Sequence, residues 1–203
     1  GGCDFRCSWC DTIEIWTKWE KFTAKEIIDK FIELDPTVKH VILTGGNPAI
    51  HNLDEFLDYA MERGYTFSME TQGSRIKPWF SKLRNVIVSP KPPSAGMHHF
   101  NPEKYITNIL KINELNPNVA VKIPVGDEKD IEFFKDIQRG IPNQMYMSII
   151  NYDLKNGDIA EFRDGICEAY KRVVELVLKD PELNNIKVYP QQHTLIWGNR
   201  QGV

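Results

Sequence analysis

The chain has 203 residues, with 25 Lys and Arg against 28 Asp and Glu, and a formal net charge of −3 at pH 7. That length supports one domain with a substantial core, expected to span residues 1–203. The slightly acidic balance, the lack of any Lys/Arg block and the lack of an apolar run of membrane-spanning length argue against nucleic-acid and membrane partners.

The chain opens on Gly1-Gly2-Cys3 with no strand ahead of it, and one further strand is expected upstream of Cys3. Thr23, followed three residues later by Glu26, forms a capping box for a helix with Ile27, Ile28, Phe31 and Ile32 on one face. Val38 to Thr44 reads as a buried strand ended by Gly45-Gly46. Asn52 to Glu55 caps a second helix carrying Phe56, Leu57, Ala60 and Met61, which Gly64 stops. Tyr65 to Glu70 is a strand, Ile76 to Leu83 a short helix, and Val86 to Ser89 a third strand. Pro102 starts a helix with Tyr105, Ile106, Ile109 and Leu110 inward. A strand at Val119–Val125, a helix at Asp130–Gln138 and a strand at Met145–Ile150 follow. A long helix at Ile159–Leu178 and a strand at Ile186–Tyr189 complete the series. Strands alternating with helices predict an α/β fold with a mostly parallel sheet. Six strands, or seven with the one expected upstream, fit an incomplete TIM-type β/α barrel better than a closed one, which needs about 250 residues.

In such folds chemistry gathers at the C-terminal ends of strands. Cys3, Cys7 and Cys10 form C-x3-C-x2-C. Three clustered thiolates suit an iron–sulfur cluster with one iron left open. Zinc would need a fourth ligand; none stands at fixed spacing, and a distant His supplying it is the open alternative. Free thiols held for a metal fit a reducing cytosol, so a cytoplasmic location is expected. Phe5 and Trp9 would keep water from a cluster, or simply pack. Thr44-Gly45-Gly46-Asn47-Pro48 offers bare backbone to a ligand, or is a plain tight turn. Glu70-Thr71-Gln72-Gly73 ends a strand in a carboxylate able to accept from a ribose diol, or to sit solvated. Ser89-Pro90-Lys91-Pro92-Pro93 stiffens a loop around one Lys, a point charge for a carboxylate. Cys167, beside Ile166 and Tyr170, reads as a small core residue, and His98-His99 as a solvated pair.

Together these strings, with Pro190-Gln191-Gln192-His193-Thr194-Leu195-Ile196-Trp197-Gly198-Asn199, resemble the radical S-adenosylmethionine superfamily and, within it, the 7-carboxy-7-deazaguanine synthase family. The resemblance covers nearly the whole chain. It implies a lyase converting 6-carboxy-5,6,7,8-tetrahydropterin to 7-carboxy-7-deazaguanine and ammonia, a precursor of queuosine. It also implies a [4Fe–4S] cluster on Cys3, Cys7 and Cys10, S-adenosylmethionine on its open iron, and Mg2+ beside the substrate. Trp9, Cys10, Asp11, Gly45, Gly46, Glu70, Ser89, Pro90, Lys91 and Asn151 would line the cofactor site. Thr12 would bind Mg2+, or cap a helix. Thr44, His193 and the Val203 carboxylate would meet the substrate, with a structural hydrogen bond the alternative for His193 and a strand-end turn that for Asn151. A flavodoxin-like electron donor and a homodimer are the family's usual partners.

The sequence departs from the family in two places. It lacks the upstream strand that carries the family's Glu-Gly and Arg substrate contacts, and Asn47 stands where Glu is commoner. Ile13 to Phe22, rich in Trp, matches no shared pattern. Two other classes share the cysteine spacing: an activase of a glycyl-radical enzyme, and a non-catalytic zinc or iron–sulfur module.

Overall fold

A computed structural model of the chain describes residues 1–17, 19–97, 101–152 and 159–198. Its centre is a sheet of six strands, β1 (His40–Leu43), β2 (Thr66–Thr71), β3 (Asn85–Val88), β4 (Val119–Val125), β5 (Gln144–Ile149) and β6 (Lys187–Tyr189). All pairings are parallel and follow chain order, so the sheet is open, with β1 and β6 at its edges. The α/β class and the incomplete barrel expected from the alternation are what the chain forms.

The helices are α1 (Ala24–Leu34), α2 (Asp54–Met61), α3 (Pro102–Leu115), α4 (Glu128–Gly140), α5 (Ile159–Leu178) and α6 (Gln192–Trp197). The capping box of α1 is complete: the Thr23 hydroxyl accepts from the Glu26 amide while the Glu26 carboxylate accepts from the Thr23 amide. Asn101 caps α3 by accepting from the Lys104 amide, with Pro102 in the first turn. No helix among the described residues is long and apolar enough to cross a membrane.

Register assigns each strand residue to a face. One face carries Phe67, Met69, Val86, Val88, Val121, Ile123, Met145 and Met147, buried under the helices in one continuous core. The opposite face carries His40, Thr66, Ser68, Glu70, Asn85, Lys122, Tyr146 and Ser148, matched across neighbouring strands. Polar residues populate it, and His40, Thr66 and Asn85 there are exposed.

Several margins differ from the periodicity. Ile76–Leu83 forms only a 3-10 turn at Pro78–Lys82, whose Trp79 and Phe80 are both buried; with two large neighbours to bury, consecutive residues must point into the core. Ile32, Met61 and Leu110 are 48%, 40% and 41% exposed, because each stands past the contact line of its helix with the sheet. Cys167 is exposed, not a core residue. The inward line of α5 runs through Phe162, Ile166, Val173 and Val177, and the position after Ile166 is turned by about 100°. His98-His99 lies outside the described residues.

Candidate active site

The cysteine loop sits on the C-terminal ends of the strands, and the segments after β1, β2 and β3 hold it there. Beyond β1, Gly45 adopts φ +113°, which suits a residue with no Cβ. Gly46 follows, and a Cβ on it would overlap the Gly2 carbonyl group. The close approach that this glycine permits is therefore by the chain's own first residues. The Gly2 carbonyl accepts from the Asn47 amide at 2.9 Å, and the Gly46 carbonyl accepts from Gln72 Nε2 at 2.6 Å.

Asp4 anchors the start of the loop. Its carboxylate accepts from Asn47 Nδ2 and the Ser74 hydroxyl, each at 2.8 Å, and from Arg75 Nε at 3.3 Å. Burial pushes Asp4 toward the neutral form, but those donors outweigh it and hold its carboxyl below the usual range. Beyond the turn, Ser8 and Trp9 dock on the segment after β3. The Ser8 amide donates to the Ala95 carbonyl at 3.1 Å, and Trp9 Nε1 donates to the Ser94 hydroxyl at 3.3 Å.

All four cysteines are free thiols. Cys7 is buried with Phe5 and Ala95, and Cys3, Cys10, Trp9 and Met97 pack around them. Burial pushes the Cys7 thiol up to about 11, opposed chiefly by the Lys91 ammonium, and burial raises Cys3 likewise. The Phe5 amide donates to Cys3 Sγ at 3.4 Å. Among the described residues no three His, Cys, Asp or Glu side chains converge on one metal ion. A polynuclear cluster makes a different demand, giving each thiolate its own iron. Three soft donors on one loop, an amide directed at sulfur and an aromatic wall fit such a group.

Lys91 faces this loop. Its amide donates to the Tyr105 hydroxyl at 3.0 Å and its Nζ to the Ser89 hydroxyl at 2.8 Å. Desolvation lowers its pKa, countered first by Cys7 and then by Glu70. Glu70, on the open face of β2, pairs with Lys122 of β4 at 2.7 Å across β3. Gln72 Oε1 is buried and has no partner among the described residues, leaving an acceptor at the end of β2.

Thr12 stands at the N-cap position of the 3-10 turn Ile13–Trp16 but makes no capping bond. Its hydroxyl donates instead to Asp11 at 3.2 Å, with Cys10 Sγ 3.8 Å away. His193, in α6, brings Nε2 within 3.6 Å of the same Asp11 carboxylate. Thr44 is exposed at the end of β1, and Asn151 is buried after β5. Pro90 is buried beside Ser89. Val203 lies outside the described residues.

Lys122 escaped the motif reading, though it left a signal: a lone Lys in the apolar run Val119–Val125 must face away from the core. Asn47 stands in the Thr44–Pro48 string, but its partners left no signal, since Asp4, Thr71 and Ser74 lie in other segments.

A parallel, unclosed α/β sheet with a three-cysteine loop over its C-terminal edge defines a radical S-adenosylmethionine enzyme scaffold. The Radical SAM superfamily model matches residues 1–152. The 7-carboxy-7-deazaguanine synthase of Bacillus subtilis (strain 168) is 34% identical over 211 residues, covering 100% of this chain and 87% of the relative. The enzyme of the same name from Bacillus cereus is 29% identical over 215 residues, again across 100% of this chain and 87% of the relative. The crystal structure of QueE from Escherichia coli superposes with a TM-score of 0.62 at 22% identity, covering 94% of this chain and 82% of that one, a likeness of fold. The chain belongs to the 7-carboxy-7-deazaguanine synthase family of the radical SAM superfamily.

Proposed function

We propose that the chain is a lyase that converts 6-carboxy-5,6,7,8-tetrahydropterin to 7-carboxy-7-deazaguanine, releasing ammonia, in the route to queuosine. The observation that carries this reading is the 34% identity to a synthase of that name along the whole of this chain. When bound, the [4Fe–4S] cluster and S-adenosylmethionine together supply a 5′-deoxyadenosyl radical that removes a hydrogen atom from the pterin.

The chain's own residues bind, orient and shield. Cys3, Cys7 and Cys10 hold the cluster, and Phe5, Trp9, Ala95 and Met97 keep water from it. The Lys91 ammonium offsets negative charge at Cys7. Glu70, fixed by Lys122, is the acceptor for a ribose diol, with Trp9 to Asp11, Gly45, Gly46, Ser89, Pro90 and Asn151 completing the nucleoside side. The Thr12 hydroxyl and the adjacent Asp11 carboxylate are hard oxygens of the kind Mg2+ selects, with His193 close to Asp11 and Thr44 above β1 on the substrate side. A flavodoxin-like reductant, a homodimer and a cytoplasmic location belong to the same reading and rest on the family resemblance.

The test is an anaerobic assay of the iron-loaded, reduced chain with S-adenosylmethionine, Mg2+ and the carboxytetrahydropterin. The expected products are 5′-deoxyadenosine and 7-carboxy-7-deazaguanine. Deoxyadenosine without a deazapurine would discard the synthase assignment and turn attention to the activase class.

A further inference from the structure

Asp130 is 0% exposed, in the first turn of α4. A carboxylate there is costly, and an apolar side chain would fill the same space without that cost. Helix capping accounts for only part of it: Asp127 already caps α4 by accepting from the Asp130 amide at 3.0 Å. The carboxylate of Asp130 divides between the start of α4 itself and a separate segment. Oδ1 accepts from the Ser94 amide at 3.1 Å, and Oδ2 accepts from the Gly126 amide at 3.0 Å.

Ser94 lies in the 3-10 turn Pro93–Ala95, and that turn is the ledge on which the cysteine loop rests. Three hydrogen bonds make the contact. The Ser8 hydroxyl donates to the Ser94 carbonyl at 2.8 Å, the Ser8 amide to the Ala95 carbonyl at 3.1 Å, and Trp9 Nε1 to the Ser94 hydroxyl at 3.3 Å. Ser8 and Trp9 are the residues between Cys7 and Cys10, so the ledge meets the loop between two of its three thiols. Ala95 also packs directly on Cys7 and Phe5. At its other end the same segment is pinned by the Lys91 amide on Tyr105. The ledge is therefore tied to α3 through Lys91 and Tyr105 and to α4 through Asp130, which holds Ser94 itself.

We propose that Asp130 is a positioning residue for the cluster: by fixing the Pro93–Ala95 turn it sets where Cys7 and Cys10 stand. The inference rests on the reading of Cys3, Cys7 and Cys10 as cluster ligands. Asp130 touches no thiol itself and acts only through Ser94. The substitution Asp130→Asn keeps the shape but turns one of the two acceptor oxygens into a donor, which then faces an amide N–H.

The test uses the full chain, reconstituted with iron and sulfide under nitrogen, and two readouts. Asp130→Asn should lose iron to a chelator up to roughly 10-fold faster than the unaltered chain, as expected for a group supporting metal ligands. In the molecules that remain loaded, the electron-paramagnetic-resonance signal of the reduced cluster should be displaced, a change that a purely structural role would not produce. Trp9→Phe and Ser8→Ala remove ledge bonds without touching α4 and should displace the same signal, which keeps the proposal open to refutation if Asp130→Asn fails to fold. Unaltered iron loss and an unaltered signal in Asp130→Asn, or in both loop variants where it does not fold, overturn the proposal. An unaltered chain that takes up no iron overturns the cluster reading instead.

Discussion

Asn47 ties separate stretches of chain together through its polar groups. Its amide donates to the Gly2 carbonyl, Nδ2 donates to Asp4 and to the Ser74 hydroxyl, and Oδ1 accepts from the Ala49 amide and the Thr71 hydroxyl. It is 1% exposed, so water cannot take over any of these bonds. Asn47→Ala leaves Asp4 and Thr71 without a partner they have in the native chain, and a buried group deprived of its hydrogen bond costs about 1–3 kcal/mol. The expected outcome is a fall of that size in the stability of the metal-free chain, read from the urea midpoint at constant slope. Reading the sequence, Asn47 is an amide standing in for a commoner Glu. The structure makes it the junction of the cysteine loop with the turns after β1 and β2. The cysteine spacing was legible because its ligands are local to one loop. The partners of Asn47 were not, because Asp4, Ser74 and Thr71 are brought together only by folding.

The strands were more legible than the helices, for a physical reason. A strand buried on one face alternates strictly, so Val119–Val125 announces both its length and the outward position of Lys122. A helix buries a stripe whose width depends on its neighbour, so Ile32, Met61 and Leu110 looked inward and are not. One junction was invisible in any pattern. Lys135 of α4 places Nζ 2.7 Å from Asp180 and 3.1 Å from Glu182, while Arg139 reaches Glu182 at 2.7 Å. These ties join α4 to the turn between α5 and β6. The Lys135 hydrogen bond holds the Asp180 carboxyl below its ordinary value, and Arg139 followed by Lys135 does the same for Glu182. Because the folded values are the lower ones, this stabilisation is complete above the unfolded carboxylate range, about 4, and is lost as pH falls through the folded values. Lys135→Met should therefore lower the urea midpoint at pH 7. The gap from the unaltered chain should stay constant down to about pH 5 and close below about pH 4. A gap that widens in acid would contradict the role given to these carboxylates.

At the scale of the whole molecule, a sheet whose strands pair in chain order delivers the segment after every strand to one edge, and that edge carries the site. The two faces divide the labour. The helix-covered face supplies the apolar core, and the open face supplies polar groups in two tiers. Toward the N-terminal ends, His40 bridges the hydroxyls of Thr66 and Ser68 at 2.9 and 3.1 Å, and Asn85 Nδ2 donates to Ser68 at 3.2 Å. Those groups hydrogen-bond one another. Nearer the cysteines, the Glu70–Lys122 pair keeps side-chain exposures of 32% and 37%, so it remains reachable from the open face. A pair this exposed contributes at most ~1 kcal/mol to folding, which makes stability a weak account of why a carboxylate stands there. Binding is the stronger one. Glu70→Gln keeps the size of the side chain, abolishes the ion pair and replaces a charged acceptor by a neutral one. Hydrogen bonds to a charged group are worth about 1.5–3 kcal/mol, so the iron-loaded variant should bind S-adenosylmethionine roughly 10- to 100-fold more weakly. Iron content and urea midpoint should stay close to those of the unaltered chain, since Glu70 touches neither the thiols nor the core. Equilibrium dialysis under nitrogen measures the affinity, and an unchanged value would remove Glu70 from the nucleoside site and leave the pair with Lys122 as a surface contact.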